Sequence, residues 1–441
     1  MTQTNLAAVV MAGGLGTRMR SSVPKHLHPL LGRRMVDWVL EAARPLEPAR
    51  LVVIASPETH GDFGEVEVAV QARPLGTGDA VRATRAALEG ATDTVLVLSG
   101  DTPLLTATLL QELLETHERE QAAATVLTFE PADTRSYGRV VRDAEGSVEA
   151  IVEAGDATPE QLALTECNSS IYVFRADALW PALDRLQPAN AQGELYLTDA
   201  VRDLVERDQR VVAHVAADPA ETEGVNTRVE LSAAAAVLRD RINHAHMLAG
   251  VAISDPGSTW IEPTVVLEAD CAIHPFTILR GATRIATGAE IGPQAVVVDA
   301  EVGPGAKVTE RAYERPGTVL AARAKAGTFV EIKKSRVGEG AKVPHLSYIG
   351  DAEIGEETNI GAGTITANFP HQPGRPKGRT TVGKNVRTAI HTSLMAPVEV
   401  GDNSWTAAGS VITDDIPPDS LAGFPPRQET KEGYLRGNRD D

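Results

Sequence analysis

Residues 267–292 read LEADCAIHPFTILRGATRIATGAEIG, and one beat runs through them. Leu267, Ile273, Leu279, Ile285 and Ile291 stand six residues apart. After a one-residue phase slip the beat resumes at Val302 and Val308. It returns at Val337, Val343 and Ile349, slips again, and continues at Ile354 and Ile360. Later copies start at Val382, Val400, Thr406 and Ile412. Glycine often follows, as in Ile291-Gly292, Val302-Gly303 and Ile360-Gly361. Neither the helical period nor the strand period gives this spacing. Three hexads per coil make a triangular parallel β-helix, with aliphatic side chains stacked inward and small residues at the corners. From about Gly250 to about Pro426 there is room for roughly ten coils of about eighteen residues. Composition agrees: 42% of the chain is hydrophobic but only 4% aromatic, so Ala, Val, Leu and Ile must fill the core.

Ahead of the repeat the pattern changes. Apolar runs lie at Leu6–Met11, Leu51–Ala55, Thr94–Leu98, Thr125–Phe129, Ser170–Phe174 and Arg210–Val215. Amphipathic stretches of helical length, Met35–Ala43, Asp79–Leu88 and Thr106–His117, fall between several of them. This alternation predicts a parallel sheet with helices on both faces. Between the halves, Leu231, Ala235, Leu238, Ile242 and Ala245 repeat at helical steps. They predict a long helix over 226–249 whose apolar stripe rests on the first domain or on the solenoid.

Ligands of open α/β sheets bind beyond the carboxyl ends of the strands. After the first run comes Gly13-Gly14-Leu15-Gly16-Thr17-Arg18-Met19, with Pro24-Lys25 soon after. The glycines let backbone N–H groups approach a phosphate, and Arg18 and Lys25 offset its charge. The string fits neither the Walker pattern nor the dinucleotide fingerprint, and an ordinary strand-to-helix turn also favours glycine. Ser99-Gly100-Asp101 follows the third run. An aspartate there holds a hard cation or simply caps a turn. Leu75-Gly76-Thr77-Gly78 precedes a helix, where free N–H groups meet a base or phosphate or serve as a plain cap.

Charge narrows the classes. Lys+Arg number 42 and Asp+Glu 60, a net charge of −18. A general nucleic-acid or anionic-membrane binder is excluded, because counterion release needs a basic face. A small basic pocket for one phosphate is compatible. Cys167 and Cys271 are too few for a disulfide framework. No apolar run approaches the roughly 18 residues of a membrane span. Met1-Thr2-Gln3-Thr4-Asn5 lacks the basic start of a signal peptide. A cytoplasmic location is the expectation.

The loop Gly14-Leu15-Gly16-Thr17-Arg18-Met19 with Pro24-Lys25, joined to a hexapeptide solenoid, resembles the sugar nucleotidyltransferases. Longer strings narrow the match: Asn190-Ala191-Gln192-Gly193-Glu194 with Tyr196-Leu197-Thr198-Asp199, Glu223-Gly224-Val225-Asn226, His345-Leu346-Ser347-Tyr348-Ile349-Gly350-Asp351-Ala352 and Asn359-Ile360-Gly361-Ala362-Gly363-Thr364. With these, the chain from about residue 6 to about 434 resembles the bacterial family of bifunctional N-acetylglucosamine-1-phosphate uridyltransferase/glucosamine-1-phosphate N-acetyltransferases. The resemblance implies an α/β chain: a Rossmann-like nucleotidyltransferase domain over 1–225, a linker helix over 226–249, and over 250–441 a left-handed parallel β-helix acetyltransferase domain with a C-terminal tail.

It also implies roles. Ala12, Gly13, Gly14 and Lys25 hold the nucleotide, and Gln71, Gly76 and Thr77 take the uracil. Arg18 and Lys25 act on the phosphates of UTP. Asp101 and Asn226 ligate Mg²⁺. Gly138, Glu153 and Asn168, with Asn226, contact the amino sugar of N-acetylglucosamine 1-phosphate. His345 is the general base of acetyl transfer. Arg315, Lys333, Tyr348 and Asn359 bind glucosamine 1-phosphate. Ala362, Asn368, Phe369, Ala408 and Arg427 meet acetyl-CoA. A homotrimer is implied, with acetyl-transfer sites between neighbouring solenoids. Departures from the family pattern cluster at the acyl donor: Phe369 stands where a tyrosine is usual, Ala389-Ile390 where Gly-Ser is usual, and Pro425 where a basic residue is usual. Two other readings stay open: a single-function nucleotidyltransferase with a structural or regulatory solenoid, and a non-catalytic assembly subunit. Retention of Arg18, Lys25, Asp101 and Asn226 opposes the last, and His345 with its neighbours opposes the former.

Overall fold

The computed structural model describes residues 5–14, 16–134, 137–188, 192–370, 374, 376–423 and 428–434. The chain forms two compact units, Met1–Leu238 and Arg239–Asp441.

The first unit is built on a mixed sheet. Its strands are β1 (Leu6–Met11), β2 (Arg50–Ala55), β3 (Glu67–Val70), β4 (Thr94–Ser99), β5 (Ala124–Phe129), β6 (Arg139–Arg142), β7 (Val148–Val152), β8 (Cys167–Arg175) and β9 (Val211–Val215). The main order is β9-β5-β8-β4-β1-β2-β3, with the β6–β7 hairpin attached through β8. Side chains alternate across the sheet. Ala7 and Val9 face a core completed by the helices Ala176–Arg185 and Leu197–Glu206. Ala8 and Val10 face another, completed by Met35–Ala43 and Ala107–Arg119. Both faces are therefore covered.

One expectation is corrected. The sheet is not wholly parallel, because β8 runs antiparallel to both β4 and β5. After β5 the chain passes through the antiparallel β6–β7 hairpin rather than a helical crossover. The helix foreseen over Asp79–Leu88 is also two pieces, Thr77–Arg82 and Arg85–Leu88. At the break the Thr84 hydroxyl bonds the Val81 carbonyl at 2.7 Å, a local bond that competes with helix continuation.

The second unit is the left-handed parallel β-helix. Its ladders make three flat faces, each a stack of two- to four-residue strands. On the first face Ile273 pairs with Ile291, and Ile291 with Val308. On the second, Leu279 pairs with Val297 and Ile332 with Ile349. On the third, Ile285 pairs with Val302 and Leu320 with Val337. The one-residue slip between Val297 and Val302 is absorbed at a corner, and the ladder continues. All these beat residues are buried in one continuous core. Corners carry threonines whose hydroxyls bond backbone carbonyls, as Thr318 does to Arg315 at 2.7 Å. The Gly378 N–H bonds the Asn368 carbonyl at 3.0 Å.

The long helix spans Arg228–Leu248. Thr227 and Glu230 cap it: the Glu230 carboxylate accepts from the N–H groups of Asn226 at 2.7 Å and Thr227 at 2.9 Å, and Thr227 Oγ1 accepts from Glu230 N at 3.2 Å. Its first half packs with Leu30, Met35 and Leu104 of the first unit. In its second half Ile242 and Met247 pack on the solenoid core.

Removing one inward side chain leaves a cavity that neighbouring coils cannot fill. Ile332→Ala should lower solenoid stability by about 2–5 kcal/mol in urea denaturation. Arg336→Ala, at an exposed outward position, should change it by under about 0.5 kcal/mol.

Candidate functional site

Beyond the carboxyl ends of β1 and β4 lies a cavity of about 390 Å³. Ala12, Gly13 and Gly14 form one wall, Gln71, Gly76 and Thr77 another, and Lys25 and Asp101 lie at its base. All eight residues expected from the sequence at the nucleotide and its metal, Asn226 and Arg18 aside, line this one space. Gly76 has φ +116°, and a Cβ there would lie 2.5 Å from the Leu195 carbonyl oxygen. Only glycine lets this loop lie so close to the neighbouring chain. Thr77 Oγ1 accepts the Leu197 N–H at 2.9 Å, which fastens the loop on its other side. The Gln71 amide donates to the Gly76 carbonyl at 3.0 Å and to Asp79 at 3.1 Å.

Arg18 and Asn226 join the site through polar contacts. The Lys25 ammonium donates to Asp101 Oδ2 and, at 2.9 Å, to Asn226 Oδ1. Arg18 donates to the same amide oxygen at 2.8 Å. Ser99 donates to Asp101 Oδ1 at 2.6 Å. Burial works against charge on Asp101, but the Lys25 ammonium and the bonds from Lys25 and Ser99 outweigh it and hold the carboxyl below its usual range. Beside Lys25, burial and then the charges of Lys25 and Arg34 push the His26 imidazole down to about 4, so it stays neutral at pH 7. The helix cap places Asn226, because Glu230 holds its backbone N–H.

Two oxygens, from Asp101 and Asn226, thus converge on one cation, the Lys25 ammonium. That donor set suits Mg²⁺, which takes one or two protein oxygens and fills its octahedron with water and substrate phosphates. No cluster of three or more His, Cys, Asp or Glu side chains suited to a metal occurs among the described residues.

Gly138, Glu153 and Asn168 are brought together on the hairpin side. The Asn168 N–H bonds the Gly138 carbonyl at 2.9 Å. A Cβ on Gly138 would lie 3.4 Å from Glu153 Oε2. The Asn168 amide donates to the Tyr172 hydroxyl at 2.8 Å and accepts the Ser170 N–H at 3.1 Å. Glu153 borders a second cavity of about 360 Å³ with Tyr196, Thr198 and Asp199. Burial, with the charge of Asp156, raises its carboxyl above the usual range.

In the solenoid a separate cationic group forms on the second face. Arg315 follows Glu314 in its strand, and its N–H bonds the Ile332 carbonyl at 2.9 Å, which sets it beside Lys333 of the next coil. Arg315 also pairs with Glu331 at 2.7 Å. The nearby Lys377 ammonium, of like charge, lowers the Lys333 ammonium below its usual range, and Arg315 adds to the effect. Lys377 lies 5.8 Å from the centre of the Phe369 ring. The absence of a side chain at Gly350 makes room for the Tyr348 hydroxyl and the Asn368 amide, which meet there. Asn368 donates to Asp351.

His345 ends the strand Lys342–His345 with its side chain exposed. Its carbonyl is held by Ser347 Oγ at 2.8 Å and by the Gly363 N–H at 3.3 Å. The backbone is pinned while the imidazole faces outward. Asn359 bridges Lys342 and Arg387 in adjacent coils. The Ala362 carbonyl accepts the His391 N–H at 2.8 Å, and Ala408 is exposed at a later corner. Among the described residues no side-chain bond joins Asn359, Ala362 or Ala408 to the cationic group. Phe369 is exposed at the end of its coil. Arg427, like Leu15, Asn190, Ala191 and Pro425, lies outside the described residues.

Sequence reading missed Lys377. Its signal was a lysine just before Gly378, but nothing in the spacing shows that it comes close to Lys333. The Glu230 cap and the Ser99 bond to Asp101 were missed as well.

The chain is similar to known proteins along nearly its whole length. The MobA-like NTP transferase domain matches residues 8–210. The bifunctional protein GlmU of Streptomyces avermitilis is 47% identical, over 98% of this chain and 94% of its own length. That of Streptomyces coelicolor is 46% identical over the same shares. That of Mycobacterium bovis is 43% identical, over 98% of this chain and 92% of its own.

The Gly76 loop offers a direct test. Gly76→Ala should cost roughly 1–3 kcal/mol of local strain. Nucleoside triphosphate binding, measured by titration calorimetry, should weaken about tenfold or more for that cost.

Proposed function

The chain belongs to the bifunctional GlmU family, and from that premise we propose how its residues divide two reactions. It is a bifunctional enzyme of UDP-N-acetylglucosamine and cell-wall biosynthesis. It transfers acetyl from acetyl-CoA to glucosamine 1-phosphate, and couples N-acetylglucosamine 1-phosphate to UTP with release of pyrophosphate. The observation that best supports the residue roles is the convergence of Arg18, Lys25, Asp101 and Asn226 at the glycine-lined cavity.

In uridylyl transfer, a phosphate oxygen of the sugar attacks the α-phosphorus of UTP and pyrophosphate departs. Two anions must meet, so positioning and charge compensation supply the catalysis. Asp101 and Asn226 would hold Mg²⁺, which when bound adds positive charge at the transferring phosphoryl group. Arg18 and Lys25 turn to the triphosphate, exchanging their bonds to Asn226 and Asp101 for phosphate oxygens. The Ala12–Gly14 backbone cradles phosphate, and Gln71, Gly76 and Thr77 face the uracil. Glu153, Asn168 and Gly138 bind the amino sugar.

In acetyl transfer, the amine nitrogen attacks the thioester carbonyl and the thiolate of CoA leaves. His345 takes the amine proton, a role open to an imidazole that faces solvent at the end of its strand. Arg315 and Lys333, joined by Lys377, hold the acceptor phosphate, and Tyr348 and Asn359 complete its surroundings. Ala362, Asn368, Phe369, Ala408 and Arg427 follow the acyl donor. The cationic group disfavours a purely structural solenoid.

The same reading includes a homotrimer and a cytoplasmic location. Phe276, Phe329 and Leu346 protrude from one solenoid corner with at least half of their surface exposed, which supports cover by neighbouring chains. No helix among the described residues is long and apolar enough to cross a membrane.

Asp101→Ala should abolish pyrophosphate release and spare acetyl transfer; near-normal release at ordinary Mg²⁺ would refute the metal role. His345→Ala should slow thiol release from acetyl-CoA by roughly 10²–10⁴-fold. It should leave uridylyl transfer unchanged, and N-acetylglucosamine 1-phosphate should bypass the defect. Loss of both activities would mean that His345 is structural.

A further inference from the structure

The inward column of the second solenoid face runs Ile261, Leu279, Val297, Glu314, Ile332 and Ile349. One member is an acid. Glu314 lies on the six-residue beat between Val308 and Leu320, and its side chain is fully buried. Among the described residues neither carboxyl oxygen has a hydrogen-bond partner. A polar neighbour farther along the column behaves differently: Thr366 accepts the Gly350 N–H at 2.7 Å and donates to the Gly350 carbonyl at 3.1 Å. Glu314 has no such satisfaction.

The groups around it are apolar. Val308 and Leu320 point inward from the other faces of the same coil, with Val297 and Ile332 in the coils on either side. Lys307 and Lys325 on the first face, Arg315, Glu331 and Lys333 on the second, and Glu301 and Arg336 on the third occupy the alternate outward positions. Among the described residues no cation therefore compensates a charge on Glu314. An ionised carboxylate in such surroundings is so costly that the group keeps its proton instead.

We propose that Glu314 is carried as a neutral acid inside the solenoid and latches, through that proton, the strand that holds Arg315 in place. Glu314 and Arg315 are adjacent, so they share one backbone segment. That segment is tied into the ladder by the N–H bonds of Tyr313 to Val330 at 2.8 Å and of Arg315 to Ile332 at 2.9 Å. When Glu314 releases its proton to solvent, the carboxylate must reach water. The strand then leaves its register and takes Arg315 away from Lys333. Glu314 touches no substrate; it is a positioning residue.

Burial alone raises the carboxyl from 4.5 to about 8. The sign follows by linkage. Between those values the folded chain keeps a proton that the unfolded chain has lost, so stability falls as pH rises from 4.5 and levels above about 8. The unfolding equilibrium shifts about tenfold per pH unit in that window.

The test uses the full chain, wild type against Glu314→Gln and Glu314→Leu. Infrared spectra at pH 7 should show a protonated-carboxyl stretch in the wild type that Glu314→Gln lacks, and the band should vanish as pH passes about 8. Absence of that band at pH 7 overturns the neutral acid. The second arm rests on the proposed role of Arg315 at the acceptor phosphate, and the infrared arm does not. Between pH 7 and 9 the wild-type KM for glucosamine 1-phosphate should rise roughly tenfold relative to Glu314→Leu, since two pH units span one titration. The kcat ratio should hold constant. A KM ratio independent of pH, with the infrared band present, overturns the latch while leaving the buried acid in place.

Discussion

Every sixth side chain of the solenoid must fit a triangular interior that has no room for bulk. This steric constraint fixes everything else in that half of the molecule. With inward positions committed, alternation commits their neighbours to the outside, and parallel stacking repeats the arrangement in each coil. Arg315 and Lys333 come together because their coils are in register, and Ile332 and Ile349 hold that register from within. His345 is presented outward for the same reason. A chemistry built on such a frame needs little further preorganisation, since its backbone is already tied coil to coil.

The first unit solves the same problem with a different device. Its sheet supplies strand ends, and the site is completed by loops that each depend on one local contact. Gly76 lies against Leu195 because it has no side chain. Asn226 is aimed by the Glu230 cap that starts the long helix. Asp101 is kept ionised by Lys25 and Ser99. The resulting cluster sets one carboxylate and one neutral amide oxygen beside two cations, so it keeps a net positive charge. The solenoid group is cationic and tied coil to coil, whereas the cluster at the glycine-lined cavity is assembled from separate loops.

Much of this was legible in the residues, and the reasons are physical. The six-residue beat is visible because each inward position tests size and polarity independently. The runs at Leu6, Thr94 and Thr125 are visible because strands covered on both faces carry mostly apolar side chains. The direction of β8 was not legible, since it depends on a hairpin of short, half-polar strands. The edge strand Glu67–Val70 escaped because its side chains are only partly buried and begin with an acid. The Asp79–Leu88 helix broke at Thr84 through a side-chain bond that periodicity does not register. Lys377 was hidden because it falls outside the six-residue beat. Glu314 was hidden for the opposite reason: it keeps the beat, but its residue type argues against an inward position.

The central claim is that one chain carries out both transfers in sequence, and one coupled measurement tests it most directly. The wild-type chain is given glucosamine 1-phosphate, UTP and Mg²⁺, and pyrophosphate is followed with and without acetyl-CoA. The account predicts that pyrophosphate appears only when acetyl-CoA is present, matched by free thiol, and that N-acetylglucosamine 1-phosphate removes the requirement. Pyrophosphate formed from glucosamine 1-phosphate without acetyl-CoA, or no thiol release while N-acetylglucosamine 1-phosphate is still converted, would contradict it.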